Sequence, residues 1–109
     1  MIISFQNKTL REVCEQKQQA IEVFGESVAH KLHNRLADIM AAENVSDLIV
    51  GSPEEIFIND KPCYLIKASK KTGIIFESSH PKTPMLPKGT IDWSQVSRIK
   101  ITEIKTYDD

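Results

Sequence analysis

The stretch EEIFINDKPCYLIKASKKTGIIFES, residues 54–78, decides the fold of this chain. It holds three short runs rich in β-branched and aromatic residues, at 54–59, 62–68 and 73–78. Turn-forming residues separate the runs at 59–62 and 69–73. Because strands joined by such short turns pair as hairpins, the stretch predicts an antiparallel meander with no helix inside it.

The residues before this stretch predict one strand and two helices. Three β-formers among the first five residues favour a strand at 1–6. Thr9 and Glu12 have the spacing of a capping box, so a first helix is expected to begin there and to reach about residue 18. Gly25 interrupts the helical pattern, and Ser27 is the expected N-cap of a second helix that reaches about residue 43. The second helix has one apolar stripe, made of Val28, Leu32, Leu36, Ile39 and Met40.

The residues after the meander predict a long loop and one further strand. The segment 79–90, SHPKTPMLPKGT, has three prolines and a glycine, which predicts a flexible loop. Trp93 is the only tryptophan, and its ring is expected to hold the end of that loop against the body of the protein. The last strand is expected at 96–106. Its isoleucines do not share one parity, which predicts either two covered faces or a bulge near Thr102 and Glu103.

Together these elements predict a single α+β domain over residues 1–109, in the order β-α-α-β-β-β-β. The chain is too short for two cores. Both helices are expected to pack on one face of a mainly antiparallel sheet, because no other element is available to cover it. The other face and the hairpin turns then remain available for a partner.

The charge of the chain is unevenly distributed. The formal net charge is −1, yet residues 1–60 carry five basic and ten acidic side chains, whereas residues 61–105 carry nine basic and three acidic ones. A net charge near zero argues against general binding to nucleic acid. A cationic second half on an anionic first half is compatible with binding a polyanion through one face.

Other classes of function have little support in the sequence. No apolar run approaches the length of a membrane span, and no secretion signal is recognisable, so a cytoplasmic protein is expected. Cys14 and Cys63 lack metal-ligand spacing and are expected to be reduced, partly buried thiols. His30 and His33 have no third ligand near them in sequence. We therefore expect no metal and no cofactor.

Four segments together resemble the RelE/ParE superfamily of small bacterial toxins, and most closely its HigB-type branch. The resemblance covers nearly the whole chain. Its segments are the strand IISF at 2–5 with Lys8 and Leu10, FGESVAHKLHNRLADIMAAENVSDL at 24–48, GIIFE at 73–77 and IDWSQVSRIKITEIKTY at 91–107. The last segment is the most specific of the four.

The resemblance implies a RelE-like fold and a toxin of a type II toxin–antitoxin system. Such a toxin is a ribosome-dependent mRNA endonuclease that inhibits translation. Its implied partners are a helix-turn-helix antitoxin of HigA type, the ribosome and mRNA. Operator DNA would be contacted only through the antitoxin, and no membrane is involved.

The resemblance also assigns candidate site residues. Tyr107 falls at the family tyrosine, and Asp108 falls where the family has a histidine. The arginine that precedes the fourth-strand apolar run in the family is Gly73 here, so Lys70 and Lys71 are the candidates to replace its charge. The expected catalytic residues are therefore Tyr107, Lys70, Lys71 and Asp108. The expected RNA-binding residues are Lys61, Lys67, Arg98 and Lys100.

Two alternatives share the expected fold. One is a catalytically degenerate protein that keeps the fold and binds an antitoxin or another protein; the missing family arginine and histidine favour it. The other is a ParE-like gyrase inhibitor, which the HigB-like ending at 91–107 disfavours. Fold alone does not separate these functions.

Overall fold

The chain folds as an α+β domain with an N-terminal strand, three helices and a four-strand meander. A computed structural model describes residues 1–107. The elements in chain order are β1 Ile2–Phe5, α1 Lys8–Glu15, α2 Lys17–Phe24, α3 Glu26–Ala41, β2 Glu54–Ile58, β3 Lys61–Lys67, β4 Thr72–Ser78 and β5 Arg98–Thr106. Short 3₁₀ turns lie at Val45–Asp47 and Trp93–Gln95.

The prediction of two helices is wrong, because the first predicted helix is divided at Gln16. This residue has extended backbone angles, φ −113° and ψ 113°, so α1 ends there and α2 begins at the next residue. The predicted N-caps also differ from those observed. Asn7 caps α1, since its side chain accepts a hydrogen bond from the backbone N–H of Leu10. The third helix begins after Gly25, one residue before Ser27.

The sheet has the order β1-β5-β4-β3-β2. The predicted antiparallel meander of β2, β3, β4 and β5 is confirmed, and residues 54–78 contain no helix. The N-terminal strand pairs with β5 in parallel, with Ile3 opposite Ile99. The sheet is therefore mixed, with one parallel pair and three antiparallel pairs.

A β-bulge in β5 explains the irregular parity of its isoleucines. Ile75 lies opposite Glu103 while Phe76 lies opposite Ile101, so Thr102 is an extra residue on β5. The hydroxyl of Thr102 donates to the carbonyl of Ile75 at 3.3 Å. The bulge predicted near Thr102 and Glu103 is thus confirmed.

The helices and one face of the sheet enclose the main core. We call this the helix face. Deleting a large aliphatic or aromatic side chain from such a core typically costs about 2–5 kcal/mol. Its fully buried members include Ala20, Ala29, Leu32, Ile39, Ile66, Ile74, Phe76, Val96, Ile99 and Ile101. The opposite face of the sheet has only a small apolar cluster, made of Cys63, Leu65 and Ile75, with Ile56 against it. We call this second face the open face.

The segment between β4 and β5 is tied to the sheet at both of its ends. Near its start, the Nε2 of His80 accepts hydrogen bonds from the backbone N–H groups of Ser97 and Arg98, at 3.0 and 3.3 Å. Near its end, Trp93 is buried, and its indole N–H donates to Glu55 at 2.6 Å. The expected role of the Trp93 ring in holding the loop end is confirmed. The flexibility of residues 79–90 stays a prediction.

Candidate nucleic-acid interface

Most of the charged side chains of the meander lie on the open face. Across β3, β4 and β5 the cations form two groups, separated by a row that contains Leu65, Ile75 and Glu103. The bulge at Thr102 contributes to this arrangement, because it places Lys100 and Glu103 on one face although their numbers differ in parity. The charged residues of this face are Glu54 on β2 and, on the other three strands, Lys61, Lys67, Glu77, Arg98, Lys100, Glu103 and Lys105.

Tyr107 and Gly73 mark one end of the open face, which we call the Tyr107 end. The backbone N–H of Tyr107 donates to the carbonyl of Lys71 at 2.8 Å, so the tyrosine extends the sheet beyond β5. Gly73 lies between Lys67 on β3 and Lys105 on β5. The ammonium of Lys105 lies 5.4 Å from the centre of the Tyr107 ring, a cation–π distance.

The absent side chain of Gly73 makes room for the tyrosine. A Cβ at this position would lie 2.7 Å from the Cδ1 of Leu65 and 3.3 Å from the hydroxyl oxygen of Tyr107. The space that a larger side chain at position 73 would need is therefore filled by Leu65 and Tyr107. The charge at this end comes instead from lysines on the neighbouring strands and turn.

Lys70 and Lys71 lie in the turn between β3 and β4, next to Tyr107. The turn is braced by its own hydrogen bonds, from the Ala68 N–H to the Thr72 carbonyl at 2.9 Å and between the hydroxyls of Ser69 and Thr72. Both lysines are exposed. The structure thus brings together Tyr107, Lys67, Lys70 and Lys71 from the predicted site.

Glu77 organises the opposite end of the open face, which we call the Glu77 end. This carboxylate is only 8% exposed, and each oxygen contacts one lysine, Lys61 at 2.9 Å and Lys100 at 3.1 Å. Burial by itself raises the pKa of Glu77. The hydrogen bonds and charges of the two lysines together outweigh burial, so the pKa lies below its ordinary value. The hydrogen bond to Glu77 likewise raises the pKa of Lys61.

The predicted site is therefore divided between two places. Along β4, Gly73 and Glu77 are four residues apart, which corresponds to about 13 Å in a strand. Lys61, Arg98 and Lys100 belong to the Glu77 end. Asp108 lies outside the described residues.

The candidate site residues from the sequence did not include three charged residues that β4 and β5 contribute to this face. Glu77 is the only charged residue in its apolar strand, and an isolated acidic residue in such a run indicates an ion pair with a neighbouring strand. Glu103 and Lys105 lie on this face because of the bulge, which the mixed parity of the β5 isoleucines indicated.

Other reactive groups offer no second site among residues 1–107. Within that part of the chain, no three His, Cys, Asp or Glu side chains are close enough to hold a metal ion. Cys14 and Cys63 are free and buried, and burial raises the pKa of the Cys14 thiol to about 12. No helix in the same part of the chain is long and apolar enough to cross a membrane.

Comparisons with protein-family models, with curated proteins and with solved structures found no match for this chain.

Proposed function

We propose that this chain is a RelE-fold toxin of a type II toxin–antitoxin system, of the HigB type, and that it cleaves mRNA on the ribosome. The observation that carries the proposal is the grouping of Tyr107 with the turn lysines Lys70 and Lys71 at one end of the open face. The order of an N-terminal strand, helices and a four-strand meander, with the first strand paired within the sheet, supports this fold, although the structure has three helices where two were expected. The ribosome places this activity in the cytoplasm.

The Tyr107 end has groups suited to RNA chemistry. Cleavage begins when the ribose 2′ oxygen attacks the adjacent phosphorus and loses its proton to a base. It ends when the bond from phosphorus to the 5′ oxygen breaks and that oxygen gains a proton. Ammonium groups of Lys70 and Lys71 stabilise the negative charge that develops on the phosphate. The Tyr107 hydroxyl is suited to protonate the 5′ oxygen, and its ring is suited to stack on a base.

The resemblance gives Asp108 the remaining acid–base role. A carboxylate is negatively charged at neutral pH and accepts the 2′ proton as a base, whereas the family histidine can also act as an acid. With Asp108 as the base, we assign proton donation in this chain to Tyr107. An antitoxin with a helix-turn-helix domain is the proposed partner that covers the toxin.

Expression of the chain alone in a bacterial host tests this function. We expect growth arrest with fragmented mRNA. Lys70→Ala with Lys71→Ala should relieve the arrest, since loss of one donor to a developing oxyanion typically costs about 10²–10³ in rate. Lys8→Ala with Lys31→Ala is the matched control, because these exposed lysines lie on the helices and the charge change is equal. Normal growth and intact mRNA with soluble, folded protein would overturn the endonuclease proposal.

A second candidate is a non-catalytic interaction protein with the same fold. Leu65 and Tyr107 fill the space beside Gly73, so position 73 cannot hold an arginine that contacts the phosphate. This favours the interaction protein. Co-expression with the adjacent reading frame and size-exclusion chromatography tests this candidate. Harmless expression together with a stable complex would support it over the toxin.

A further inference from the structure

We propose that the Glu77 end is a second phosphate subsite, so that the open face binds one RNA strand at two different phosphates. The inference rests on the proposed function, because it takes the Tyr107 end as the first contact with RNA. It adds the length of the substrate: the ligand is an extended single strand of several nucleotides, and a mononucleotide would fill only half of the site.

Two lysines at the Glu77 end are held close together yet keep N–H donors that a ligand can use. Each ammonium has three N–H donors, and Glu77 accepts from each of the two lysines. The side chain of Lys61 is 61% exposed and that of Lys100 is 35% exposed, so both groups are open to a ligand. Because Glu77 already holds the two lysines in place, a phosphate that contacts both of them costs less side-chain entropy to bind.

A cleft beside the lysines has room for the rest of a nucleotide. Its volume is about 450 Å³. Besides the charged groups, its walls carry neutral polar side chains from three separate parts of the chain, namely Gln6, Asn59 and Thr102. Amide and hydroxyl groups of this kind hydrogen-bond base edges and the ribose 2′-OH, which are the features that single-stranded RNA presents.

The two ends are too far apart to share one phosphate. Four residues of β4 separate Gly73 from Glu77, about 13 Å along the strand. The oxygens of one phosphate group do not bridge that distance. A strand that contacts both ends therefore does so through different phosphates.

The net charge at the Glu77 end determines whether a substitution there weakens or tightens RNA binding. Arg98 lies on the open face two residues before Lys100, so it adds a third positive charge. Glu77 and Glu103 oppose the three cations. Glu103 lines the cleft and is exposed, so its carboxylate repels a phosphate bound to the lysines.

Fluorescence anisotropy with a labelled single-stranded decanucleotide of RNA tests the subsite, using the full chain at several salt concentrations. Lys61→Gln with Lys100→Gln should weaken binding and reduce the slope of log K against log salt by about 0.7, the value for one phosphate on a single strand. A labelled dinucleotide contacts one subsite at a time, so its affinity should change less. Lys8→Gln with Lys31→Gln carries the same change of charge on the helices and serves as the control.

A companion variant tests the cleft without removing an ion pair of Glu77. Glu103→Gln should tighten binding of the decanucleotide, whereas Glu22→Gln on α2 should leave it unchanged. Equal affinities for these two variants would place the strand outside the cleft and overturn the proposal.

The outcome separates this inference from the proposed function. If Lys70→Gln with Lys71→Gln loses binding while Lys61→Gln with Lys100→Gln matches its helix control, the second subsite is refuted and the first stands. If both open-face variants match the control, or the wild-type chain does not bind the decanucleotide, RNA binding through this face is refuted as a whole.

Discussion

The hydroxyl end of Tyr107 occupies the space into which a side chain at position 73 would extend. A Cβ on Gly73 would lie 3.3 Å from the Tyr107 hydroxyl oxygen, and Leu65 closes the same space from the neighbouring strand. Glycine at this position and tyrosine after the last strand therefore form one packing unit. The unit places an aromatic ring at the cationic end of the open face.

We expect Gly73→Ala to destabilise the fold by about 1–3 kcal/mol through overpacking. The added methyl group would lie 2.7 Å from the Cδ1 of Leu65. Leu65→Ala removes that atom, so the loss caused by Gly73→Ala should be smaller when Leu65 is already alanine. Urea denaturation of the two single variants and the double variant measures the coupling. Strictly additive losses would show that Leu65 does not obstruct position 73.

Glu77 makes stability depend on acid pH. Its folded-state pKa is lowered, so the ion pairs contribute stability that is fully present above the ordinary glutamate pKa of about 4.3. That contribution is lost as the pH falls through the lower, folded-state pKa. Glu77→Gln should cost about 1–3 kcal/mol at pH 7 and should flatten the pH dependence in this window.

Denaturation at several pH values between neutral and about pH 3 measures this effect, across the range where carboxylates titrate. Glu22→Gln is the matched control, since Glu22 is exposed on α2. The same pH dependence in Glu77→Gln as in the wild type would contradict the assignment of the effect to Glu77.

The contact between Trp93 and Glu55 anchors the end of the long loop to the edge strand β2. The indole N–H is 2.6 Å from a carboxylate oxygen of Glu55, and the Tyr64 ring meets Trp93 edge to face at 4.8 Å. Glu55→Ala leaves the buried indole donor without its acceptor, so we expect a loss of about 1–3 kcal/mol. Glu54→Ala should change little, because that neighbouring side chain is exposed on the open face.

Tryptophan fluorescence tests this prediction directly, because Trp93 is the only tryptophan of the chain. We expect a red-shifted emission and a lower unfolding midpoint for Glu55→Ala. An emission spectrum identical to that of Glu54→Ala would count against the anchor.

His80 holds the start of the same loop against β5. Its Nε2 accepts from two successive backbone N–H groups, those of Ser97 and Arg98. His80→Ala removes both acceptors, so hydrogen exchange at these two amides should accelerate. His30→Ala, on the exposed surface of α3, should leave both amides as protected as in the wild type. Unchanged protection in His80→Ala would mean that the loop is held by other contacts.

Much of the fold follows from local patterns in the sequence. The turns at 59–62 and 69–73 fix the hairpins, since short turns leave adjacent strands no other partner. The mixed parity of the isoleucines in β5 indicated the bulge, because only an extra residue lets both halves of that strand bury them on one face. The division of the first helix at Gln16 had no such signal, since glutamine favours a helix.

The site shows the same contrast. Residue type and charge marked the lysines and Tyr107 as candidates, since their chemistry belongs to the side chains themselves. Which of them meet was decided by register: the pairing of β4 with β5 sets Glu77 beside Lys100 and Gly73 beside Lys105, about 13 Å apart. Register depends on contacts between residues far apart in the chain, so the two ends of the open face exist only once the sheet has formed.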